Sequence, residues 1–258
     1  MDGITSRLAG PRHLLAPIPG ESRARNLVPL GHAAADRALQ GGLLRGALHE
    51  VFAANDGAGF GFAAALAQRA AGPKRLLWVV QDYSALEHGQ VSATGLKAFG
   101  IDPPSVLLLR AADATDALRA GADALTCAAL GAVIVEIPGN PKILDLVASR
   151  RLVLGAQARG VTAILLRGAA EIEPSAAQTR WRVRAACSAA GDDWGMPCFD
   201  AELMRNRQGE TGRWTMEWCC DDGAFRDLEQ QAAHPGAVVS AASDRPAAPP
   251  LRRLRHTG

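Results

Sequence analysis

Residues 41–61, with the sequence GGLLRGALHEVFAANDGAGFG, combine an apolar run with a glycine-rich turn. Residues 47–54 predict a buried strand, and the helical run that follows the glycines covers residues 62–71. A strand, a glycine loop and a helix in this order make a scaffold on which backbone N–H groups can surround a phosphate. The stretch therefore predicts a chain built from strand–helix units, which is typical of α/β domains.

The side chains that phosphate chemistry requires are absent from this loop. A phosphate-binding loop of the type G-x-x-x-x-G-K-S/T uses a lysine to reach the β- and γ-phosphates and a hydroxyl to hold magnesium. Gly59 and Phe60 stand at these two places, and the lysines of the chain lie elsewhere, at positions 74, 97 and 142. We therefore expect no ATP binding, no ATPase activity and no bound cofactor. The altered loop comprises Asn55, Asp56, Gly57, Gly59, Phe60 and Gly61.

Two acidic residues belong to the same candidate site. Asp56 lies inside the loop, where its carboxylate would repel a phosphate, and we interpret it as a cap of the following helix. Glu136 lies near the end of the apolar run 132–137, at the sheet edge where ligands of open α/β sheets bind. A metal site needs further ligands, and the scattered histidines and acids supply no set at ligand spacing. The sequence predicts no metal site.

The segments around this loop alternate between strand and helix patterns. Strands are predicted at residues 75–81, 105–109, 132–137 and 161–167, and helices at 32–40, 115–129 and 143–158. This alternation favours right-handed crossovers and a mostly parallel, twisted sheet flanked by helices. Residues 181–187, 199–206 and 213–218 then follow one another without a helix, so we expect antiparallel pairing at the C-terminal edge, the last two segments forming a hairpin.

The middle of the chain has the apolar periodicity of a folded domain. Hydrophobic residues make up 48% of the 258 residues, which suffices for one large domain, predicted at residues 31–225. Residues 1–30 mix prolines with arginines and predict a flexible arm, and residues 226–258 predict a disordered tail rich in alanine and proline. A candidate partner-binding motif, for which a solubilising tail is the alternative, lies near the end: Leu251, Arg252, Arg253, Leu254 and Arg255.

Charge and cysteine content exclude several classes of protein. The net charge of +2 does not by itself indicate a nucleic-acid binder, although most of the basic residues are arginines. The five cysteines are odd in number and contain no C-x-x-C pair, which argues against a zinc site and against a secreted disulfide framework. With no leader pattern and no apolar run of about 20 residues, we expect a cytoplasmic protein.

Arginines alternate with tryptophans in the predicted antiparallel strands. Such a pattern can pair with phosphates and stack on bases, so these residues are candidate contacts for DNA or for a partner protein. Alternation on a half-buried strand produces the same pattern without any ligand, and both interpretations stay open. The candidates are Arg180, Arg182, Arg205, Arg207 and Arg213, beside Trp181, Trp214 and Trp218.

Several segments together resemble known proteins. The segments GGLLRGALHE (41–50) and AVIVE (132–136) resemble the RecA superfamily. The segments SRRLVLGAQARGVTAILLR (149–167), TRWRV (179–183) and ELMRNRQGETGRWTMEW (202–218) are similar to the ImuA family. Members of that family are RecA-like proteins encoded beside a Y-family polymerase homologue in bacterial damage-inducible mutagenesis cassettes.

The resemblance implies a RecA-like sheet and a role in SOS-induced, error-prone translesion DNA synthesis. It implies as partners the Y-family polymerase homologue of the same cassette (ImuB-like) and RecA or an error-prone replicative polymerase. Since the loop and Glu136 depart from the RecA pattern, we expect an adaptor without catalysis. A DNA-dependent ATPase with a rearranged loop is one alternative, which the missing lysine disfavours. A division inhibitor of the SulA type is another, but SulA-like proteins are shorter and do not match the 202–218 hairpin.

Overall fold

The computed structural model describes residues 26–54, 57–188 and 195–228 of the 258-residue chain. The strands in this part are β1 (Leu27–Val28), β2 (Leu43–Leu44), β3 (Leu48–Ala53), β4 (Arg75–Gln81), β5 (Val106–Ala111), β6 (Leu130–Glu136), β7 (Thr162–Gly168), β8 (Thr179–Ala185), β9 (Cys198–Asn206), β10 (Gly212–Cys219) and β11 (Ala224–Asp227). The α-helices are α1 (Ala33–Ala38), α2 (Ala58–Ala71), α3 (Asp82–His88), α4 (Ala93–Ala98), α5 (Ala114–Ala124) and α6 (Leu146–Arg159), with a 3-10 turn at Pro103–Ser105.

A nine-stranded sheet with the order β11-β10-β9-β8-β3-β7-β6-β4-β5 forms the centre of the molecule. The strands from β8 to β5 in this order pair parallel. The strands β8, β9, β10 and β11 pair antiparallel. The predicted α/β class, with a mostly parallel sheet and antiparallel strands at its C-terminal edge, is confirmed.

The two faces of the sheet bury different sets of side chains because successive residues of a strand point to opposite faces. Helix α2 packs over β3, β6, β7 and β8 on the first face, where Trp78 and Ile134 belong to the core. Helices α5 and α6 pack on the second face, with Val133 and Leu165 in the core beneath them. This arrangement places the start of α2 at the carboxyl ends of the central strands.

The described fold extends beyond the predicted domain boundaries at both ends. Strand β1 pairs with β2 in a small separate sheet, and Leu30 is fully buried, so residues 27–30 belong to the folded part rather than to the predicted arm. Strand β11 reaches Asp227, which lies inside the predicted tail. These short strands carry too few residues for a periodic apolar signal. Residues 1–25 of the predicted arm and residues 229–258 of the predicted tail lie outside the described residues.

None of the helices in the described ranges is long and apolar enough to cross a membrane.

Candidate functional site

The glycine loop leads directly into helix α2. The sequence predicted a helix from residue 62, but α2 already begins at Ala58, so Gly59 and Gly61 lie in its first turn. Gly57 is the N-cap residue, with a positive φ of 77° that favours glycine. Asn55 and Asp56 lie outside the described residues, and the capping role predicted for Asp56 stays a prediction.

Close packing accounts for the two helical glycines. A Cβ atom on Gly59 would collide with the side chain of Ala53 at the end of β3. A Cβ atom on Gly61 would lie 2.6 Å from the ring of Phe99, which is far inside van der Waals contact. The first turn of α2 therefore approaches β3 and Phe99 so closely that a longer side chain at position 59 or 61 requires rearrangement.

A cavity of about 480 Å³ lies beside the start of α2. Its floor is formed by the carboxyl ends of β4 and β6, and one wall is formed by α2. The other wall comes from α3, α4 and the residues between them. The lining residues are Gly57, Phe60, Gly61, Ala64, Trp78, Val80, Glu87, Gly89, Gln90, Val91, Ser92, Gly95, Leu96, Phe99 and Glu136.

Glu136 is the buried polar group of this cavity, and its side chain is only 4% exposed. Its Oε1 accepts a hydrogen bond of 2.5 Å from Trp78 Nε1, and Gln81 Nε2 donates to its backbone oxygen at 3.0 Å. Burial raises the pKa of Glu136 from 4.5 to about 7, and the bond from Trp78 opposes this shift. Glu136 consequently changes its charge near neutral pH.

The charges that line the cavity do not suit a nucleotide. Among the described residues the lining carries two carboxyl groups, those of Glu87 and Glu136, and no lysine, arginine or histidine. A bound triphosphate needs cationic groups and N–H donors to offset its charge. A group of three or more histidine, cysteine or acidic side chains that could hold a metal does not occur within the described ranges either.

The structure gives the five candidate arginines partners inside the protein. Arg180 is buried and donates from Nε to Glu50 Oε2 at 2.6 Å. Arg182 pairs with Glu202 at 2.9 Å, and Arg213 pairs with Asp200. Arg205 and Arg207 donate to the backbone oxygens of Ser175 and Ala177, at 3.3 and 3.0 Å respectively.

The tryptophans of the antiparallel strands serve mainly as core residues. Trp181 and Trp218 are fully buried, so neither ring can stack on a base in this structure. Trp181 packs at 5.3 Å from Phe62, and Trp218 packs at 4.9 Å from Phe225. Alternation on a half-buried strand therefore explains these two positions. The motif at residues 251–255 lies outside the described part of the chain.

Sequence reasoning missed the second wall of the cavity. The predicted elements left residues 82–99 unassigned, whereas α3 and α4 form there and bring Phe99 against Gly61. The hydrogen bond from Trp78 to Glu136 was missed as well, because it joins residues 58 positions apart on neighbouring strands. Trp78 belongs to the core of the first face, and the sequence contains no signal for its additional bond.

Two curated relatives identify the family. No model of a protein family matches the sequence. The chain is 30% identical over 225 residues to Protein ImuA of Caulobacter vibrioides, with the same values for two strains of that bacterium. The match covers 78% of this chain and 88% of the relative. The chain therefore belongs to the ImuA family.

Proposed function

We propose that the protein is a non-catalytic adaptor in SOS-induced, error-prone translesion DNA synthesis. In this proposal it acts in the cytoplasm and joins the Y-family polymerase homologue of its cassette to RecA or to an error-prone replicative polymerase. Membership of the ImuA family supports the general role in damage-inducible mutagenesis. The adaptor role and the partners are the finer part of the proposal: the partners come from the resemblance to the ImuA family, and the absence of catalysis rests on the chemistry of the candidate site.

The charge of the cavity beside α2 is the observation that carries the proposal. The position that a nucleotide would occupy offers two carboxyl groups and no cation among the described residues. Gly59 stands where the phosphate-binding lysine is expected, and it packs against Ala53 with no room for a side chain. Since phosphoryl transfer depends on electrostatic stabilisation of the phosphates, this site favours a scaffold over an ATPase.

An exposed apolar surface supports a role in protein contacts. Strand β5 ends the nine-stranded sheet, and its residues Leu107, Leu108 and Leu109 are all exposed, Leu108 by 52%. Next to it, α3 exposes Tyr83 and Leu86 by 61% and 81%, and an ion pair between Arg110 and Asp82 joins the strand to this helix. An edge strand with apolar side chains is a template for pairing with another chain. We call these five apolar residues the β5 surface.

Binding experiments with the full-length protein test the proposal. Calorimetry with ATP and magnesium should give no saturable binding tighter than about 0.1 mM, since that affinity requires about 5 kcal/mol of interaction. A pull-down with the neighbouring polymerase homologue should recover a complex. Saturable ATP binding, or failure of the wild-type protein to bind the polymerase homologue, would count against the adaptor.

A matched pair of variants locates the contact. Leu108→Glu places a charge on the β5 surface and should weaken the complex about tenfold or more. Leu154→Glu changes a leucine of similar exposure, 65%, on α6 and should leave the complex unchanged. Both leucines are solvent-exposed, so neither substitution should affect folding. Equal effects of the two variants would move the contact away from the β5 surface.

A further inference from the structure

Glu136 is a buried acid that forms no ion pair with the other described residues. The ion pairs within the described residues do not include it, although seven acidic residues elsewhere in that part form pairs with arginine or histidine. Its side chain instead accepts a hydrogen bond at Oε1 from the neutral indole N–H of Trp78. A buried carboxylate is costly unless a cation compensates it. The cavity thus contains a carboxyl group whose ionised form a cationic ligand would stabilise.

The other residues that line the cavity indicate which kind of cationic group would bind there. Three aromatic side chains, those of Phe60, Trp78 and Phe99, line the cavity together with aliphatic residues. A guanidinium is weakly hydrated, lies flat on aromatic rings and pairs with carboxylates through a planar fork of donors. A lysine ammonium is more strongly hydrated and gains less from such walls. The lining therefore favours a guanidinium on an apolar stem.

The surroundings of the cavity favour a polypeptide as the source of this group. Glu87 and Gly89 form part of the cavity wall at the end of α3. The same helix exposes Leu86, directly before Glu87, and Tyr83, four residues before it, so exposed apolar side chains lie within about one helical turn of this wall. A free small cation would use none of this surface, whereas a peptide could pack its neighbouring apolar residues there.

We propose that the cavity binds an arginine side chain of a partner polypeptide, with the guanidinium paired to Glu136 and the stem among the aromatic rings. The proposal deepens the adaptor function and rests on it, because it names the group through which the partner is anchored. The site that holds a nucleotide in an ATPase is here a receptor for a basic side chain.

Two tripeptides test the binding chemistry with the full-length protein. The probe is acetyl-Leu-Arg-Leu-amide, and the control is the same peptide with citrulline, which has the shape of arginine but no charge. Calorimetry should show saturable binding of the arginine peptide and at least about tenfold weaker binding of the citrulline peptide. Equal affinities, no binding of the arginine peptide in the millimolar range, or tighter binding of free spermidine would each overturn the proposal.

Variants of the cavity residues test whether Glu136 is the carboxyl that pairs with the arginine peptide. Glu136→Gln keeps an oxygen that can accept the bond from Trp78 and should weaken the arginine peptide about tenfold. Glu87→Gln, at the exposed rim, should change the affinity by less than about threefold. Val91→Arg brings a guanidinium into the cavity from the non-helical segment between α3 and α4 and should block the peptide. Val91→Arg keeps the test decisive if Glu136→Gln fails to fold.

The affinity for the arginine peptide should rise between about pH 6 and pH 8, because the pKa of Glu136 is about 7 and the guanidinium pairs with the ionised form. Glu87 is the other titratable group that lines the cavity within the described residues, and the strands and α2 contribute none besides Glu136. The rise should disappear in Glu136→Gln. A flat profile in the wild type would contradict the assignment of the charge.

The pull-down separates this proposal from the adaptor function. If the wild-type protein, Glu136→Gln and Val91→Arg all bind the polymerase homologue equally, the cavity is not the anchor, while the adaptor function survives. If the wild-type protein binds no polymerase homologue, the adaptor function fails, and the tripeptides still decide whether the cavity binds arginine.

Discussion

Glu50 and Glu136 are both glutamates buried in the central sheet, but on opposite faces and in opposite electrostatic settings. Glu50, on β3, is 1% exposed and accepts a hydrogen bond of 2.6 Å from Arg180 on the neighbouring β8. Glu136, on β6, is similarly buried, yet its side chain accepts a hydrogen bond from the uncharged indole of Trp78. The second face, which α5 and α6 cover, completes the ion pair of Glu50 within the chain, whereas the first face, which α2 covers, leaves the carboxyl of Glu136 beside a cavity.

The residues around Glu50 compensate its charge within the protein. Arg167 and Arg180 lie 5.7 and 5.2 Å from the centre of the Phe52 ring, so two guanidinium groups and one aromatic ring enclose the region. Arg167 also donates to the backbone oxygens of Ile137 and Gly139. Burial lowers the pKa of Arg167, while the charge of Glu50 opposes that shift. The charge of Glu50 is therefore compensated inside the chain and is not available to a ligand, in contrast to that of Glu136.

The largest effect on stability is expected from breaking the buried ion pair between Glu50 and Arg180. Arg180→Met keeps the apolar stem but leaves Glu50 buried without its main cation, which should lower the free energy of unfolding by about 3–5 kcal/mol. Urea unfolding followed by circular dichroism measures this change. The double variant Glu50→Gln with Arg180→Met removes both charges and should recover most of the loss. A loss of less than about 1 kcal/mol in the single variant would show that Glu50 does not depend on Arg180.

The second effect concerns the pH dependence of stability that Glu136 imposes. Because the pKa of Glu136 is raised from 4.5 to about 7 in the folded protein, the folded state holds the proton more tightly than the unfolded state. Its contribution is therefore fully present below pH 4.5 and is lost as the pH rises through about 7. The loss amounts to about 3 kcal/mol in all.

Comparison with Glu136→Gln isolates this contribution. The free energy of unfolding of the wild type minus that of the variant should fall by about 2–3 kcal/mol between roughly pH 5 and pH 8. Burial lowers the pKa of His49 to about 4, so His49 destabilises the folded state at acid pH, but this effect is common to both proteins and cancels. A difference that does not change with pH would mean that Glu136 keeps an ordinary pKa.

The comparison also shows how far the sequence predicts this structure. Strand β4 was predicted with its observed bounds, because the run RLLWVVQ is apolar, β-branched and ended by polar residues. The antiparallel order of β8, β9 and β10 followed from the absence of helices between them. Both signals are local, so a single sequence is sufficient to detect them.

The electrostatic roles were not predictable in the same way. The sequence makes Arg180 a candidate contact for DNA or for a partner protein, whereas its pairing with Glu50, 130 residues away in sequence, depends on the register between β3 and β8. Glu136 was recognised as a departure from the RecA pattern, but its cavity depends on α3 and α4. Those helices are too short for a clear apolar period. Sequence patterns predicted the elements, whereas the pairing of charges required the packed structure.

The smallest effect is expected from an exposed pair in the same antiparallel strands, and it decides whether these arginines serve DNA binding. Arg182 pairs with Glu202 at 2.9 Å, but both side chains are more than a third exposed. Arg182→Ala should therefore change the free energy of unfolding by less than about 1 kcal/mol, against about 3–5 kcal/mol for Arg180→Met. Added salt should reduce even this small change by screening.

Because Arg182→Ala should leave the fold intact, it tests DNA contact at this surface directly. Arg180→Met cannot do so, because it should also destabilise the fold. Arg182 lies in a cluster in which Asp200 and Glu202 offset the guanidinium groups of Arg184 and Arg213. A phosphate would have to compete with these carboxylates, so fluorescence anisotropy with single-stranded DNA should give the same curve for Arg182→Ala and for the wild type. The opposite result would be weaker DNA binding by the variant, with a salt dependence smaller by about one phosphate contact. It would mean that the guanidinium of Arg182 leaves Glu202 and binds a DNA phosphate. The antiparallel edge would then be a nucleic-acid surface despite its internal ion pairs.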